Sequence, residues 1–239
     1  QMFEKHFGSI EDQTDVIVLP EMFTTGFTMN AASNAEQMEG ETVKWMRIWA
    51  QKKNCVITGS IIVAESENYF NRLIWMNPDG NFETYDKRHL FRLAGEENFY
   101  SGGNKKLITV RKGWKICPLI CYDLRFPVWS RRTKEENYDV LIYVANWPER
   151  RIIAWNHLLL ARAIENQCYV VGVNRINKDG NGIEHTGKSA VFNYEGKKIS
   201  GTEASKESIE TITLSSSSLG SFRKSHPFEM DADAFDLKK

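Results

Sequence analysis

Four polar residues stand where short apolar runs stop: Glu21, Lys87, Cys121 and Asn146. Cys121 closes the run Ile116-Cys117-Pro118-Leu119-Ile120, and Asn146 closes Val140-Leu141-Ile142-Tyr143-Val144-Ala145. Glu21 follows residues 15–19 across Pro20, and Lys87 follows a short arm over 82–85. A thiol, a carboxylate and an ammonium are the parts of nucleophilic acyl transfer. A free thiol is little ionised near neutral pH. A neighbouring carboxylate takes its proton, and a lysine steadies both the thiolate and the oxyanion that forms after attack. A buried glutamate–lysine pair also keeps both partners charged, because each offsets the desolvation of the other. Each residue has a plainer reading. Cys121 is a small buried hydrophobe, as most free cysteines are. Glu21 caps the next segment, Lys87 belongs to the solvated run Asp86-Lys87-Arg88-His89, and Asn146 satisfies loop backbone. Cysteine–histidine chemistry is the rival, but the setting of none of His6, His89, His157, His185 and His226 marks it as the partner.

The elements that must position these groups are read from periodicity. Buried strands are expected over 15–19, 55–63, 140–145 and 169–173, where β-branched and apolar residues run together. Asn77-Pro78-Asp79-Gly80 joins arms at 71–76 and 82–85 as a hairpin. Lys112-Gly113 joins 107–110 to 114–120, and Glu195-Gly196 joins 189–194 to 197–200. A last strand is expected over 209–214. Helical spacing covers 1–12, 40–53, 129–136 and 155–166. Helices and strands alternate early and late, with hairpins between, which predicts an α/β fold with mixed sheets. No linker or solenoid repeat divides the chain, so residues 1–239 read as a single domain. The polar tail from about 215 is expected to pack outside the core or on a partner.

Composition narrows the function. Lysine plus arginine number 31 and aspartate plus glutamate 31, so the net charge is zero. That leaves no electrostatic footprint for nucleic acid or an anionic membrane. No apolar run approaches the roughly 20 residues of a membrane span. The four cysteines are irregularly spaced in strand-like settings, which fits reduced thiols and a cytoplasmic location. Cys117 and Cys121 form a C-x3-C pair with no second pair at zinc spacing, a weak metal signal.

Three stretches taken together strongly resemble the nitrilase (carbon–nitrogen hydrolase) superfamily: Leu19-Pro20-Glu21-Met22-Phe23, Tyr85-Asp86-Lys87-Arg88-His89-Leu90-Phe91 and Ile120-Cys121-Tyr122-Asp123-Leu124-Arg125-Phe126-Pro127. Ala145-Asn146-Trp147-Pro148, residues 161–166 and Gly187-Lys188-Ser189 are similar to its later motifs. The resemblance implies a four-layer αββα sandwich of two mixed sheets, here lacking the first strand, which the family places before the first helix. It implies that Glu21 is the general base, that Lys87 holds the oxyanion with the backbone N–H of Tyr122, and that Cys121 forms a thioester. A second glutamate belongs between lysine and cysteine. Glu96 and Glu97 compete for that place, and the distance to Gly103 favours Glu96. No metal or organic cofactor is implied, and a homodimer is expected.

The branch most resembled is the omega-amidases, through Glu21-Met22-Phe23-Thr24-Thr25-Gly26-Phe27, Lys87-Arg88-His89-Leu90-Phe91 and Val144-Ala145-Asn146-Trp147-Pro148. That implies a small substrate, such as 2-oxoglutaramate, with a carboxylate at one end and an amide at the other. Water then converts the acyl-enzyme to the acid. Arg125 is the expected cation for the carboxylate, with a structural salt bridge to Glu165 as its alternative. Phe27 and Trp147 are expected pocket walls, or core. The other readings are a related hydrolase of N-carbamyl compounds, deaminated glutathione or nitriles, and a non-enzymatic interaction relative.

Overall fold

The computed structural model describes residues 2–10 and 13–237. The chain runs through α1 (Met2–Phe7), β1 (Val16–Val18), α2 (Ala31–Asn34), α3 (Glu41–Lys53), β2 (Val56–Glu65), β3 (Asn68–Met76) and β4 (Phe82–Asp86). It continues through β5 (Thr109–Arg111), β6 (Trp114–Ile120), α4 (Pro127–Ser130), β7 (Val140–Ala145), α5 (Ile152–Asn166), β8 (Tyr169–Asn174), β9 (Ala190–Phe192) and α6 (Ser216–Ser225). The helix expected over 1–12 forms as α1, while Gln1, Glu11 and Asp12 lie outside the described residues.

The strands make two mixed sheets, ordered β1-β2-β3-β4 and β5-β6-β7-β8-β9. β1 runs parallel to β2, and β2, β3 and β4 form an antiparallel meander. In the second sheet β6, β7 and β8 are parallel, flanked by antiparallel β5 and β9.

Alternation along β3 assigns the layers. Leu73 and Trp75 join the core with β6 and β7 residues such as Leu119 and Leu141, whereas Ile74 and Met76 join Val43, Met46 and Ala50 of α3. On the far side Trp155, Leu159 and Ala163 of α5 pack in the same core as Val170 of β8. Helix, sheet, sheet and helix therefore stack as the four-layer αββα sandwich. Gly172 of β8 lets α5 approach, because a Cβ there would lie 2.5 Å from Leu159 Cδ1.

Three expected elements differ. The helix expected over 129–136 is one turn, α4. Its continuation is prevented by tertiary partners: the Tyr138 hydroxyl donates to the Ser130 carbonyl, and Asn166 Oδ1 takes the Arg132 N–H at 2.9 Å. Residues 209–214 form no strand, and Ile209 is exposed. The second arm at 197–200 pairs only through the bridge Phe192–Lys198. The tail from Ser215 folds onto this chain as α6. Leu219 is buried in the core, and the Arg223 guanidinium donates to Asp139 at 2.7 Å and to the Tyr138 carbonyl at 2.8 Å.

Gly103 locks the end of β4. Its N–H donates to the Lys87 carbonyl at 3.0 Å, and a Cβ there would fall on the Asp86 carbonyl oxygen and 2.8 Å from Asp86 Cβ. Backbone cannot give way as a side chain can, so Gly103→Ala is expected to cost about 1–3 kcal/mol by overpacking. Urea unfolding measures it, with Gly180→Ala as the control because nothing lies within 4 Å of a Cβ there.

Candidate active site

Glu21, Lys87 and Cys121 each follow the C-terminal end of a strand, β1, β4 and β6 respectively. The sandwich brings all three together with Glu96. Lys87 Nζ donates to Glu21 Oε1 at 3.0 Å and to the two Glu96 oxygens at 3.0 and 2.9 Å. Glu21, Lys87 and Glu96 are all buried. Glu96 reaches Lys87 from a 3₁₀ turn, where the Phe91 N–H also donates to it at 2.5 Å. Glu97 makes no contact with Lys87 among the described residues.

Glu21 is fully directed. Asn71 Nδ2 donates to Oε1 at 2.8 Å, and the Asn146 N–H donates to Oε2 at 2.8 Å. Asn146 Nδ2 adds a bond to the Glu21 carbonyl at 2.6 Å. The plain reading of Asn146, backbone satisfaction, therefore holds together with a place in the site.

Burial works against an ammonium, but the charges of Glu21 and Glu96 outweigh it and hold Lys87 above the ordinary lysine value. Burial likewise raises the Glu96 carboxyl, against the pull of Lys87. The Cys121 thiol is pushed well above its ordinary value, first by burial and then by the Glu21 charge, with Lys87 pulling the other way. Two carboxylates and one ammonium leave the cluster with one net negative charge, so an ionised sulfur is unfavourable at rest.

Cys121 sits on a sharp strand-to-3₁₀ turn with φ of 41°, a left-handed conformation unusual for a side-chain-bearing residue. Asp123 holds this turn from behind. Its carboxylate accepts the Ile120 N–H at 3.1 Å, the Tyr85 hydroxyl at 2.7 Å, and the His89 N–H and Nδ1 at 3.1 and 2.8 Å. Arg162 ties down the Leu124 carbonyl at 2.7 Å. Tyr122 is the second residue of the 3₁₀ turn, where N–H groups have no intrahelical acceptor, so its amide is available to an incoming oxygen.

A cavity of about 90 Å³ opens onto this cluster, with Phe27, Tyr122, Arg125 and Trp147 in its wall. Phe27 lies with its ring centroid 5.2 Å from Lys87 Nζ. Trp147 is both wall and core: its ring packs on Trp155, and Arg125 stacks over it at 5.0 Å. The alternative partner for Arg125 is taken, since Glu165 accepts from Arg162 at 2.9 Å.

Phe91, Arg151 and His185 also line the cavity, and Asn71 supports it; sequence reasoning singled out none of these as site residues. Asn71 lies inside a strand and carries no local signal. His185 and Arg151 lie two and three residues from the resembled motifs at 187–189 and 145–148, the one sequence clue to them. His185 Nδ1 is bonded to the Ile183 carbonyl at 2.9 Å and His89 Nδ1 to Asp123 at 2.8 Å, while the side-chain partner of the Cys121 thiol is Glu21.

The two-sheet α/β sandwich thus sets a glutamate, a lysine and a cysteine at its strand ends beside one small cavity. The family profile of carbon–nitrogen hydrolases matches residues 4–224. The chain is 46% identical over 223 residues to omega-amidase YafV of Escherichia coli (strain K12), covering 93% of this chain and 86% of that one. It is 36% identical over 163 residues to 2-oxoglutaramate amidase of Bacillus subtilis (strain 168), covering 67% and 63%. A CN-hydrolase superfamily protein of Xanthomonas campestris, with an arsenic adduct in its active site, superposes with a TM-score of 0.96 at 41% identity, covering 99% and 91%. This chain belongs to the carbon–nitrogen hydrolase family, in its omega-amidase-like branch. Among the described residues no helix is long and apolar enough to cross a membrane.

The Asp123 carboxylate satisfies four buried or half-buried donors. Asp123→Ala is expected to lower stability by about 3 kcal/mol or more, because those donors lose their acceptor without gaining water. Asp123→Asn should lose less, and the two are compared by denaturant unfolding at one pH.

Proposed function

We propose that this enzyme hydrolyses the terminal amide of a small carboxylated substrate, 2-oxoglutaramate or a close analogue, through a Cys121 thioester. The observation that carries the reading is the Lys87 ammonium held between Glu21 and Glu96 at the thiol's end of a small cavity, with an arginine in its wall. The names of the omega-amidase and 2-oxoglutaramate amidase relatives supply the substrate class.

Glu21 takes the Cys121 proton as the sulfur attacks the amide carbon. The carbonyl oxygen becomes an oxyanion, met by the Lys87 ammonium and the Tyr122 N–H. The C–N bond breaks as Glu21 returns the proton to nitrogen, and ammonia leaves. Water then gives a proton to Glu21 and attacks the thioester carbon. The C–S bond breaks, the sulfur is reprotonated, and the acid leaves. Glu96 fixes Lys87 and orients the amide nitrogen. The raised thiol makes this proton transfer concerted with attack, because a free thiolate beside Glu21 is disfavoured.

Cys121→Ala is expected to abolish ammonia release while leaving the fold intact by circular dichroism. Lys87→Ala should lower kcat by about 10²–10³, the scale of one oxyanion donor, or more. A near wild-type rate for Lys87→Ala would remove the oxyanion role. Wild-type enzyme should release ammonia faster from 2-oxoglutaramate than from an N-carbamyl amino acid, deaminated glutathione or a nitrile. Preference for another member of that panel would reassign the substrate, and silence on all four with an unreactive Cys121 would favour an interaction protein.

The charge of Glu21 raises the thiol, so removing it lowers the thiol's pKa. In Glu21→Gln the pH profile of Cys121 alkylation by iodoacetamide should therefore move to lower pH, even as hydrolysis is lost. An unmoved or upward-moving profile would mean that Glu21 is not the charge facing the sulfur.

A further inference from the structure

Besides Arg125 the cavity's wall holds Arg150 and Arg151, and among the described residues no acid neutralises Arg151. Arg151 follows the 145–148 motif at the start of α5, and its backbone is fixed: its N–H donates to the Pro148 carbonyl at 3.0 Å, and its carbonyl accepts the Trp147 Nε1–H at 2.9 Å. Its side chain stacks 4.8 Å over Phe91, as Arg125 stacks over Trp147. Among the described residues neither Arg125 nor Arg151 has a carboxylate or hydrogen-bond partner for its side chain.

Several other sheltered arginines of this chain are paired with acids, whereas Arg88, Arg111, Arg131 and Arg175 are not. Arg72 meets Asp86 and Glu65, Arg132 meets Glu229, Arg162 meets Glu165, and Arg223 meets Asp139. Asp179 is the acid nearest to hand in the cavity wall, but its Oδ1 accepts the Asn181 and Ile183 N–H groups of its own loop at 2.8 and 2.9 Å. Half-burial and then the neighbouring cation Arg150 depress Arg151, and Arg125 adds to this, the mark of a positive site without its counter-ion.

Two guanidiniums pinned on aromatic faces, with their donor edges free, form a preorganised receptor for a planar anion. We infer that Arg151 is a specificity-determining residue of the substrate pocket, acting with Arg125 to bind the carboxylate at the end of the substrate remote from the amide. This rests on the carboxylated-amide reading above and adds to it a second, independent ligand. Its effect belongs in binding of charged substrates and not in attack on the amide.

The test pairs a charged with an uncharged amide, glutaramate with pentanamide, and adds glutarate titrated into the intact protein by calorimetry. Arg151→Met should lower kcat/KM for glutaramate by about 10–100-fold, mostly through KM, the scale of one charge-assisted hydrogen bond. Its kcat/KM for pentanamide should stay within about 3-fold, and glutarate should bind at least about 10-fold more weakly. Arg151→Lys should recover only part of the loss, since an ammonium lacks the planar fork. An equal fall for both amides would make Arg151 a prop for Phe91 and overturn the inference, as would unchanged glutarate binding. A wild-type enzyme that prefers pentanamide and does not bind glutarate would instead overturn the carboxylated-substrate reading, whatever the variant does.

Discussion

The structure depends on one ammonium placed between two carboxylates out of water. Lys87 touches Glu21 and Glu96, and all three are buried. Placing any one of them there alone would cost several kcal/mol of lost hydration. Each is tolerable only because the others are in place, so the segment that carries Lys87 and Glu96 must meet the distant Glu21. The cluster is also unbalanced. Burial first, and then the charge of Glu21, push the Cys121 thiol well above its ordinary value, with Lys87 pulling the other way. A sulfur kept as a thiol is protected from adventitious electrophiles, and in the proposed mechanism it becomes nucleophilic as Glu21 takes its proton.

Rigidity follows from how few degrees of freedom these groups keep. Glu21 is met by Asn71 from β3, by Asn146 after β7 and by Lys87 after β4. The two sheets are thus tied to each other through one carboxylate. The Cys121 turn adopts an uncommon backbone conformation, and Asp123 holds it through donors from β4, from the segment after it and from Ile120. Strain at the nucleophile is sustained by hydrogen bonds that a shift of the turn would break. The wall aromatics serve two ends in the same way: Trp147 closes the cavity and also anchors α5 through Trp155.

Local sequence carried much of this. Residues 140–145 read as a strand because they are uniformly apolar and β-branched, and β7 occupies those residues. The helix expected over 129–136 failed because Tyr138 and Asn166 claim backbone groups of Ser130 and Arg132, and no local pattern encodes the distant Asn166. The strand expected at 209–214 had suitable residues but no neighbour to pair with. In the site, Glu21, Lys87 and Cys121 were legible as strand-end residues. Glu96 and Glu97 are chemically alike and adjacent, and spacing to Gly103 favoured the one that the fold brings to Lys87. Asn71 was silent, and Arg151 had only its nearness to the 145–148 motif, because their significance comes from what the fold sets beside them.

Substrate charge and catalytic charge must be reconciled in a cavity of about 90 Å³. A carboxylate entering it meets a cluster that already carries one net negative charge. In a low-dielectric pocket such like charges repel by several kcal/mol at short range. The repulsion is least when the substrate's carboxylate lies away from Glu21 and Glu96, which is also the orientation that presents its amide to Cys121. On the carboxylated-amide reading proposed above, the guanidiniums of the wall add attraction to that repulsion, so one electrostatic field would both admit the anion and orient it. An uncharged amide feels neither force and has no such preference. On the same proposal, arginines without acids of their own keep their charge for the substrate, because an internal salt bridge would neutralise the field that aligns it.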